Sequence, residues 1–175
     1  DAIELAIGTA PEQSLLQLKN NEIDMNWTAE AVATLAQRKE IENDPSLASR
    51  FFPNLDPFVR YLSLNHDLAP FDNLKVRQAV NYAIDRQEMV TITGDGFPWS
   101  QILSGALVGN EDQVFPETAD PEKAKQLIAE SGADISQPIN LMFNDTPPNP
   151  DLAAAVKNKL EAVGFKVNLV QKPAA

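Results

Sequence analysis

The clearest hydrophobic pattern in the chain lies in residues 71–90, "FDNLKVRQAVNYAIDRQEMV". Apolar residues recur there at every third or fourth position, the spacing of one buried helix face, and they are Val76, Ala79, Val80, Ala83 and Ile84. Asp72 or Asn73 has a side chain suited to cap the start of this helix. Asp85 has one suited to cap a second helix, which we expect to end near Val90. The pattern therefore predicts two short helices that meet at a capped corner.

The last third of the chain alternates between helix and strand patterns. A helix is predicted between Asp120, a capping residue followed by proline, and Gly132, a typical helix-ending residue. Apolar residues at every second position predict strands over 138–144 and 165–171. A further helix, over 149–164, connects these strands. The order predicts a β-α-β unit with parallel strands.

A similar β-α-β unit is predicted at the start of the chain. Alternating apolar residues in "AIELAIGT" and "EIDMNW" predict strands over 2–9 and 22–27. Between them, Pro11 suits a first helical turn. Asn20 and Asn21 suit the left-handed conformation that ends a helix.

The middle of the chain combines helix, strand and loop patterns. Residues 28–50 have a helix-forming composition, with Thr28 as a candidate cap, before prolines divide the chain into short segments. The aromatic and β-branched residues of "FVRYLSLN", 58–65, predict a strand. Residues 93–119 hold four of the seven glycines and predict a long irregular loop, which in a compact domain is usually functional. The fold class is α/β, with two β-α-β units flanking a helical, loop-rich middle.

Charge and composition exclude several classes of partner. The 25 acidic and 14 basic residues give a net charge of −11, which disfavours nucleic acid and anionic membrane surfaces as partners. The absence of cysteine excludes disulfide scaffolds, thiolate zinc sites and cysteine nucleophiles. The chain begins directly on a strand-like segment, so we expect it to be a portion of a longer protein.

No residue pattern in the chain indicates catalysis. His66 is the single histidine, and no "GxSxG" or phosphate-binding glycine motif occurs. The "GDG" at 94–96 lacks the ligand spacing of a calcium loop. No catalytic residue, metal or cofactor is therefore predicted. A pair among the 25 carboxylates could still serve a hydrolase, which leaves that enzyme class as an alternative.

At residues 71–90 the chain resembles the family 5 extracellular solute-binding proteins. The family pattern of Phe-x-Asp/Asn, Val-Arg-x-Ala and Ile-Asp-Arg is matched in step by Phe71, Asp72, Val76, Arg77, Ala79, Ile84, Asp85 and Arg86. "EIDMNW", "VRYLSLN", "DPEKAKQLIAESG" and "LEAVGFKVNLV" also resemble family segments and follow the family's order. The resemblance covers nearly the whole chain and is weakest over 28–50.

The resemblance implies a periplasmic-binding-protein-like architecture of type II and a transport function without catalysis. A receptor of this kind binds a small solute, most often a short peptide, between two lobes and delivers it to ABC permease subunits. It is extracytoplasmic, being either periplasmic or anchored at the cell surface by a lipid. Residues 1–57 would form the end of the first lobe and the hinge entry, and residues 58–175 the first half of the second lobe.

The candidate ligand-binding residues are Asn26, Trp27, Arg60 and Tyr61. Each lies near a point where a predicted strand would meet the hinge and cleft, and such clefts favour aromatic walls with a few polar anchors. Arg60 and Tyr61 are neighbours on a predicted strand and would point to opposite faces, so we expect at most one of them to contact ligand.

A second alternative to the transport function is a non-catalytic interaction domain. In that case we expect the fragment to associate with itself.

Overall fold

The computed structural model separates the chain into two compact units, Asp1–Asn54 and Leu55–Ala175. The residues whose structure is described are 2–5, 11–25, 35–49, 51–52, 57–107 and 113–173.

The described part of the first unit contains three helices, α1 (Pro11–Lys19), α2 (Leu35–Asn43) and α3 (Pro45–Ala48). The predicted end of α1 is confirmed, because Asn21 adopts a left-handed φ of 56°. The helix predicted within residues 28–50 is confirmed in part, as α2. The candidate cap Thr28 lies outside the described residues.

Proline at position 45 begins a helix instead of breaking one. The Asp44 side chain accepts a hydrogen bond from the Ser46 backbone N–H at 2.9 Å, and Pro45 occupies the first turn of α3. The Ser46 hydroxyl also donates to the same carboxylate, and these hydrogen bonds lower the pKa of Asp44. Helix α2 therefore ends at Asn43, and α3 begins directly afterwards at Pro45.

The predicted strands of the first unit are wrong where the structure describes them. Residues 2–5 and 22–25 belong to no strand, and the remaining residues of both predictions lie outside the described part. A strand requires a main-chain hydrogen-bonded neighbour. Within the described residues, strand pairing occurs only between two strands of the second unit. The first β-α-β unit is therefore not formed in the described part of the chain.

The two helices predicted in residues 71–90 are confirmed as α4 (Leu74–Ala83) and α5 (Arg86–Thr93). Asn73 caps α4, its side chain accepting from the Lys75 N–H at 2.9 Å, so Asn73 and not Asp72 has this role. Asp85 caps α5 by accepting from the Glu88 N–H at 3.0 Å. Helix α5 continues past Val90 and ends at Gly94, whose φ is 74°.

The C-terminal β-α-β unit is also confirmed. It follows α6 (Pro121–Ser131) and consists of β1 (Pro138–Asn144), α7 (Asn149–Ala162) and β2 (Lys166–Lys172). The two strands are parallel, with Ile139 opposite Val167. This unit makes the fold α/β, as predicted.

The hydrophobic core of the second unit lies among α4, α6, α7 and the two strands. Val76 of α4 and Leu160 of α7 are the largest side chains that are completely buried. The buried stripe of α4 packs in this cluster with Ala124, Leu127, Val163, Phe165 and Val167. The predicted buried stripe is therefore confirmed: Val76, Ala79, Val80 and Ala83 are core residues, and Ile84 is partly buried against them.

Two segments of the second unit have neither helix nor strand. Residues 58–65 are not a strand, because no strand pairs with them in the described part of the chain. The loop was predicted over 93–119. Thr93 is the last residue of α5, and the other described portions, 94–107 and 113–119, are irregular as predicted. We call these two portions the long loop.

Candidate functional site

The corner between α4 and α5 holds the long loop through the guanidinium of Arg86. Its Nε donates to the Trp99 carbonyl at 3.1 Å, and its Nη1 donates to the Pro116 carbonyl at 3.2 Å. Two further hydrogen bonds reach Asn81, one from Nη1 to its carbonyl at 3.0 Å and one from Nη2 to its side-chain oxygen at 2.9 Å. One side chain thus connects α4 with both portions of the long loop.

Backbone and hydroxyl hydrogen bonds join the same segments. The Glu117 carbonyl accepts from the N–H groups of Arg86 and Gln87 at 2.9 and 3.1 Å. The Ser100 hydroxyl oxygen accepts from the N–H groups of Val114 and Phe115 at 3.0 and 3.3 Å. The two portions of the loop are therefore bonded to each other as well as to the helix corner.

Aromatic side chains fill the space around these bonds. Phe97 and Trp99 pack edge to face with ring centroids 5.6 Å apart, and Trp99 Nε1 donates to the Leu103 carbonyl at 2.6 Å. Gly105 lies against the Trp99 ring, where an added Cβ would stand 3.3 Å from a ring carbon. Phe115 lies under Arg86, whose guanidinium carbon is 5.7 Å from the ring centroid. The loop thus has a packed interior of its own.

The residue pattern contains no direct indication of this role for Arg86, but it does contain one indirect sign. Arg86 is the first residue of α5, where the helix dipole disfavours a positive charge. A cation at that position indicates partners elsewhere in the fold. The identity of those partners depends on how the long loop returns to the corner, which residue spacing does not determine.

The structure places two of the predicted ligand-binding residues on the surface of the second unit. Arg60 and Tyr61 lie in the unpaired segment 57–65, and both side chains are exposed, Tyr61 by 75%. Phe58 in the same segment is 79% exposed. Within the described part of the chain, neither Arg60 nor Tyr61 makes a hydrogen bond or ion pair. Asn26 and Trp27 lie outside the described residues.

Acidic side chains form ion pairs that join helices of the second unit. Lys159 of α7 lies 2.5 Å from the Glu88 carboxylate and 4.0 Å from that of Asp85, which joins α7 to α5. Lys75 of α4 bonds to Glu130 of α6 at 3.0 Å, and this bond together with one from Gln126 lowers the pKa of Glu130. These carboxylates are therefore engaged with cations and not paired with one another.

The described residues include no group of three or more His, Cys, Asp or Glu that could hold a metal ion. His66, the single histidine, is exposed.

An open depression of about 400 Å³ lies beside the start of α4 and the end of α6, where Asn73 and Ser131 are among the residues that line it. The Ser131 hydroxyl donates to the Ile128 carbonyl at 2.6 Å and its oxygen accepts from the Ala133 N–H at 3.0 Å. That hydroxyl is therefore occupied in ending α6, and the lining contains no histidine that could activate it.

The described helices are short. The longest, α7, has 14 residues, fewer than the roughly 20 apolar residues that cross a bilayer, so no helix in the described part of the chain spans a membrane.

Comparison with known proteins shows which family has this fold. The chain is 32% identical over 145 residues to the dipeptide-binding protein of Escherichia coli, covering 79% of this chain and 26% of that protein. It is 34% identical over 119 residues to heme-binding protein A of Haemophilus influenzae, covering 64% of this chain and 22% of that protein. The chain thus spans about a quarter of the length of these curated relatives, both of which are named as binding proteins.

A solved structure supports the same fold. Clavulanic acid biosynthesis oligopeptide binding protein 2 superposes with a TM-score of 0.80 at 22% identity, covering 95% of this chain and 32% of that one. The sequence profile described as "Bacterial extracellular solute-binding proteins, family 5 Middle" matches residues 1–175. The chain belongs to family 5 of the bacterial extracellular solute-binding proteins.

Proposed function

We propose that the full-length protein is an extracytoplasmic receptor of an ABC importer, which binds short peptides and delivers them to a membrane permease. The observation that carries this proposal is the 32% identity to a dipeptide-binding protein over 79% of the chain. Membership of a family of extracellular solute-binding proteins supports the compartment.

We also propose the lobe assignment given by the resemblance. Residues 1–57 belong to the end of the first lobe and the hinge entry, and residues 58–175 to the first half of the second lobe. The division into compact units after Asn54 supports a boundary in this region.

The proposed ligand contacts are Asn26, Trp27, Arg60 and Tyr61. Support for the last two comes from their exposure and from the absence of competing partners for them among the described residues. A guanidinium binds a peptide carboxylate with two parallel hydrogen bonds, and a tyrosine ring offers apolar area with a polar end. Asn26 would supply an amide, which both donates and accepts, and Trp27 an indole wall.

The class of solute is tested by the thermal unfolding of the full-length protein. A ligand that binds only the folded state raises Tm, by an amount that grows with its concentration relative to Kd. The panel contains dipeptides, tripeptides, free amino acids, sugars and hemin. We expect short peptides to raise Tm and the other solutes to leave it unchanged. Stabilisation by hemin or sugar alone would contradict the peptide assignment.

The ligand contacts are tested by the substitutions Arg60→Gln and Tyr61→Ala. Each removes an exposed side chain, so we expect an unchanged Tm without peptide. We expect at least one of them to weaken peptide binding by about tenfold, the size of a charge-assisted hydrogen bond or an aromatic contact. Lys125→Gln, at an exposed position on α6, is the control and should bind as the parent does. Parent-like affinity in both variants would remove these two residues from the site.

A further inference from the structure

Arg86 has a half-buried, positively charged side chain, and none of the carboxylates in the described part of the chain forms an ion pair with it. Its hydrogen-bond acceptors are two oxygens of Asn81 and the carbonyls of Trp99 and Pro116. Burial lowers the pKa of Arg86, and an arginine remains protonated in proteins despite such a shift. Carbonyl dipoles and the Phe115 ring therefore compensate the lost hydration of the charge.

The four acceptor atoms come from three separate segments of the chain. Asn81 lies in α4, Trp99 in the first portion of the long loop, and Pro116 in the second portion. Other hydrogen bonds also hold this region together. The Glu117 carbonyl accepts from backbone N–H groups of α5, the Asp120 N–H donates to the Tyr82 carbonyl of α4 at 2.8 Å, and the Ser100 hydroxyl joins the two portions of the loop. Among the described residues, Arg86 is the side chain that donates to all three segments, so its loss would leave four oxygens without this donor at once.

We propose that Arg86 is a positioning residue, which fixes the long loop in one arrangement on the α4–α5 corner. It thereby sets the place of the Phe97–Trp99 aromatic pair, since its Nε bond is made to the Trp99 backbone itself. The α4–α5 corner then has two functions. Its apolar face contributes to the core, and Arg86 holds the long loop that follows.

The planar fork of arginine is essential to this role. Nε, Nη1 and Nη2 point in three fixed directions and each meets a different acceptor. A lysine ammonium carries the same charge as a single point on a flexible stem and would satisfy only part of the set. Glutamine is neutral and also lacks the fork.

Hydrogen exchange of the full-length protein tests the proposal with the variants Arg86→Lys and Arg86→Gln. The reporters are peptides from 97–107 and 113–118, and α6 and α7 serve as internal references. We expect exchange in both portions of the long loop to accelerate by about tenfold or more in either variant, while exchange in α6 and α7 stays as in the parent.

Arg77→Gln is the matched control. Arg77 is also half-buried, near the start of α4, and donates to the carbonyls of Phe71 and Asp72, away from the long loop. We expect it to leave exchange in the loop unchanged. Loop exchange within about twofold of the parent in both Arg86 variants overturns the proposal. Equal acceleration in α6 and α7 also overturns it, because Arg86 would then support the core in general. Parent-like exchange in Arg86→Lys alone would show that the charge acts without the fork and would likewise overturn it.

Discussion

At the start of α4, α5 and α6, one side-chain oxygen accepts a hydrogen bond from a backbone N–H of the first turn. The acceptors are Asn73, Asp85 and Asp120, at 2.9, 3.0 and 2.9 Å. Asp85 and Asp120 were predicted individually, because each stands alone in front of a helix pattern. The first helix offered Asp72 and Asn73 as neighbours, and only the backbone path decides which of them reaches the amide. Residue types thus predict that a helix is capped more reliably than they predict which of two neighbouring residues forms the cap.

The cap of α4 gives a stability prediction. Replacing Asn73 with Ala should lower the free energy of unfolding by about 1 kcal/mol, the usual contribution of a capping side chain. Asp72→Ala is the neighbouring control and should cost less than about 0.5 kcal/mol, because the Asp72 side chain is exposed. Denaturant unfolding of the full-length variants measures both. A larger loss from Asp72→Ala than from Asn73→Ala would show that the cap is assigned to the wrong residue.

The bond between Lys75 and Glu130 gives a prediction about pH. Because hydrogen bonds from Lys75 and Gln126 lower the pKa of the folded-state carboxyl, Glu130 contributes stability above its unfolded pKa. That contribution is lost as the pH falls through the lowered pKa. Lys75→Gln should therefore reduce the denaturation midpoint at neutral pH and have a diminishing effect toward acid pH.

The control for the pH prediction is Lys75→Gln in a protein that also carries Glu130→Gln. There the carboxyl is absent, so Lys75→Gln should have an effect that does not vary with pH in the acid range. A pH-independent effect of Lys75→Gln in the parent protein would contradict the assigned cause.

At the scale of elements, the helices were predicted correctly from the sequence, whereas several predicted strands are absent from the described residues. Helix α6 has its cap, its proline and its terminating glycine within 13 residues, so all the information that defines it is local. Residues 2–5 and 22–25 have the alternation of a strand and residues 58–65 have its composition, yet none of them is a strand, because a strand exists only beside a partner. The strands β1 and β2 were predicted correctly because the helix between them brings one against the other.

The packing of α7 against α4 gives a prediction for the core. Leu160 is completely buried, so Leu160→Ala should cost about 2–5 kcal/mol through lost burial and the cavity that remains. Leu74→Ala is the control, because Leu74 is the same residue type on α4 and is 60% exposed. It should change stability by less than about 1 kcal/mol. Denaturant unfolding of both variants makes the comparison, and equal losses would contradict the position assigned to the core.

At the scale of the whole molecule, the sequence predicted the family but not a complete site. The match in residues 71–90 rests on a buried stripe and two helix caps. These residues identify the fold, and their contacts are with the core and with the helix ends. Arg60 and Tyr61 were chosen by their chemistry and position, and the structure leaves both exposed. Contact between these residues and the proposed ligand also involves the remainder of the protein, since the relatives are about three times as long as this chain.

The most direct test of the receptor assignment is calorimetric titration of the full-length protein with short peptides. The protein is first unfolded in guanidinium and refolded, so that any solute retained during purification is released. We predict saturable binding of one di- or tripeptide per protein, with the peptide recovered intact by mass spectrometry. Absence of binding across a panel of peptides of two to five residues, or recovery of cleaved peptide, would contradict the assignment.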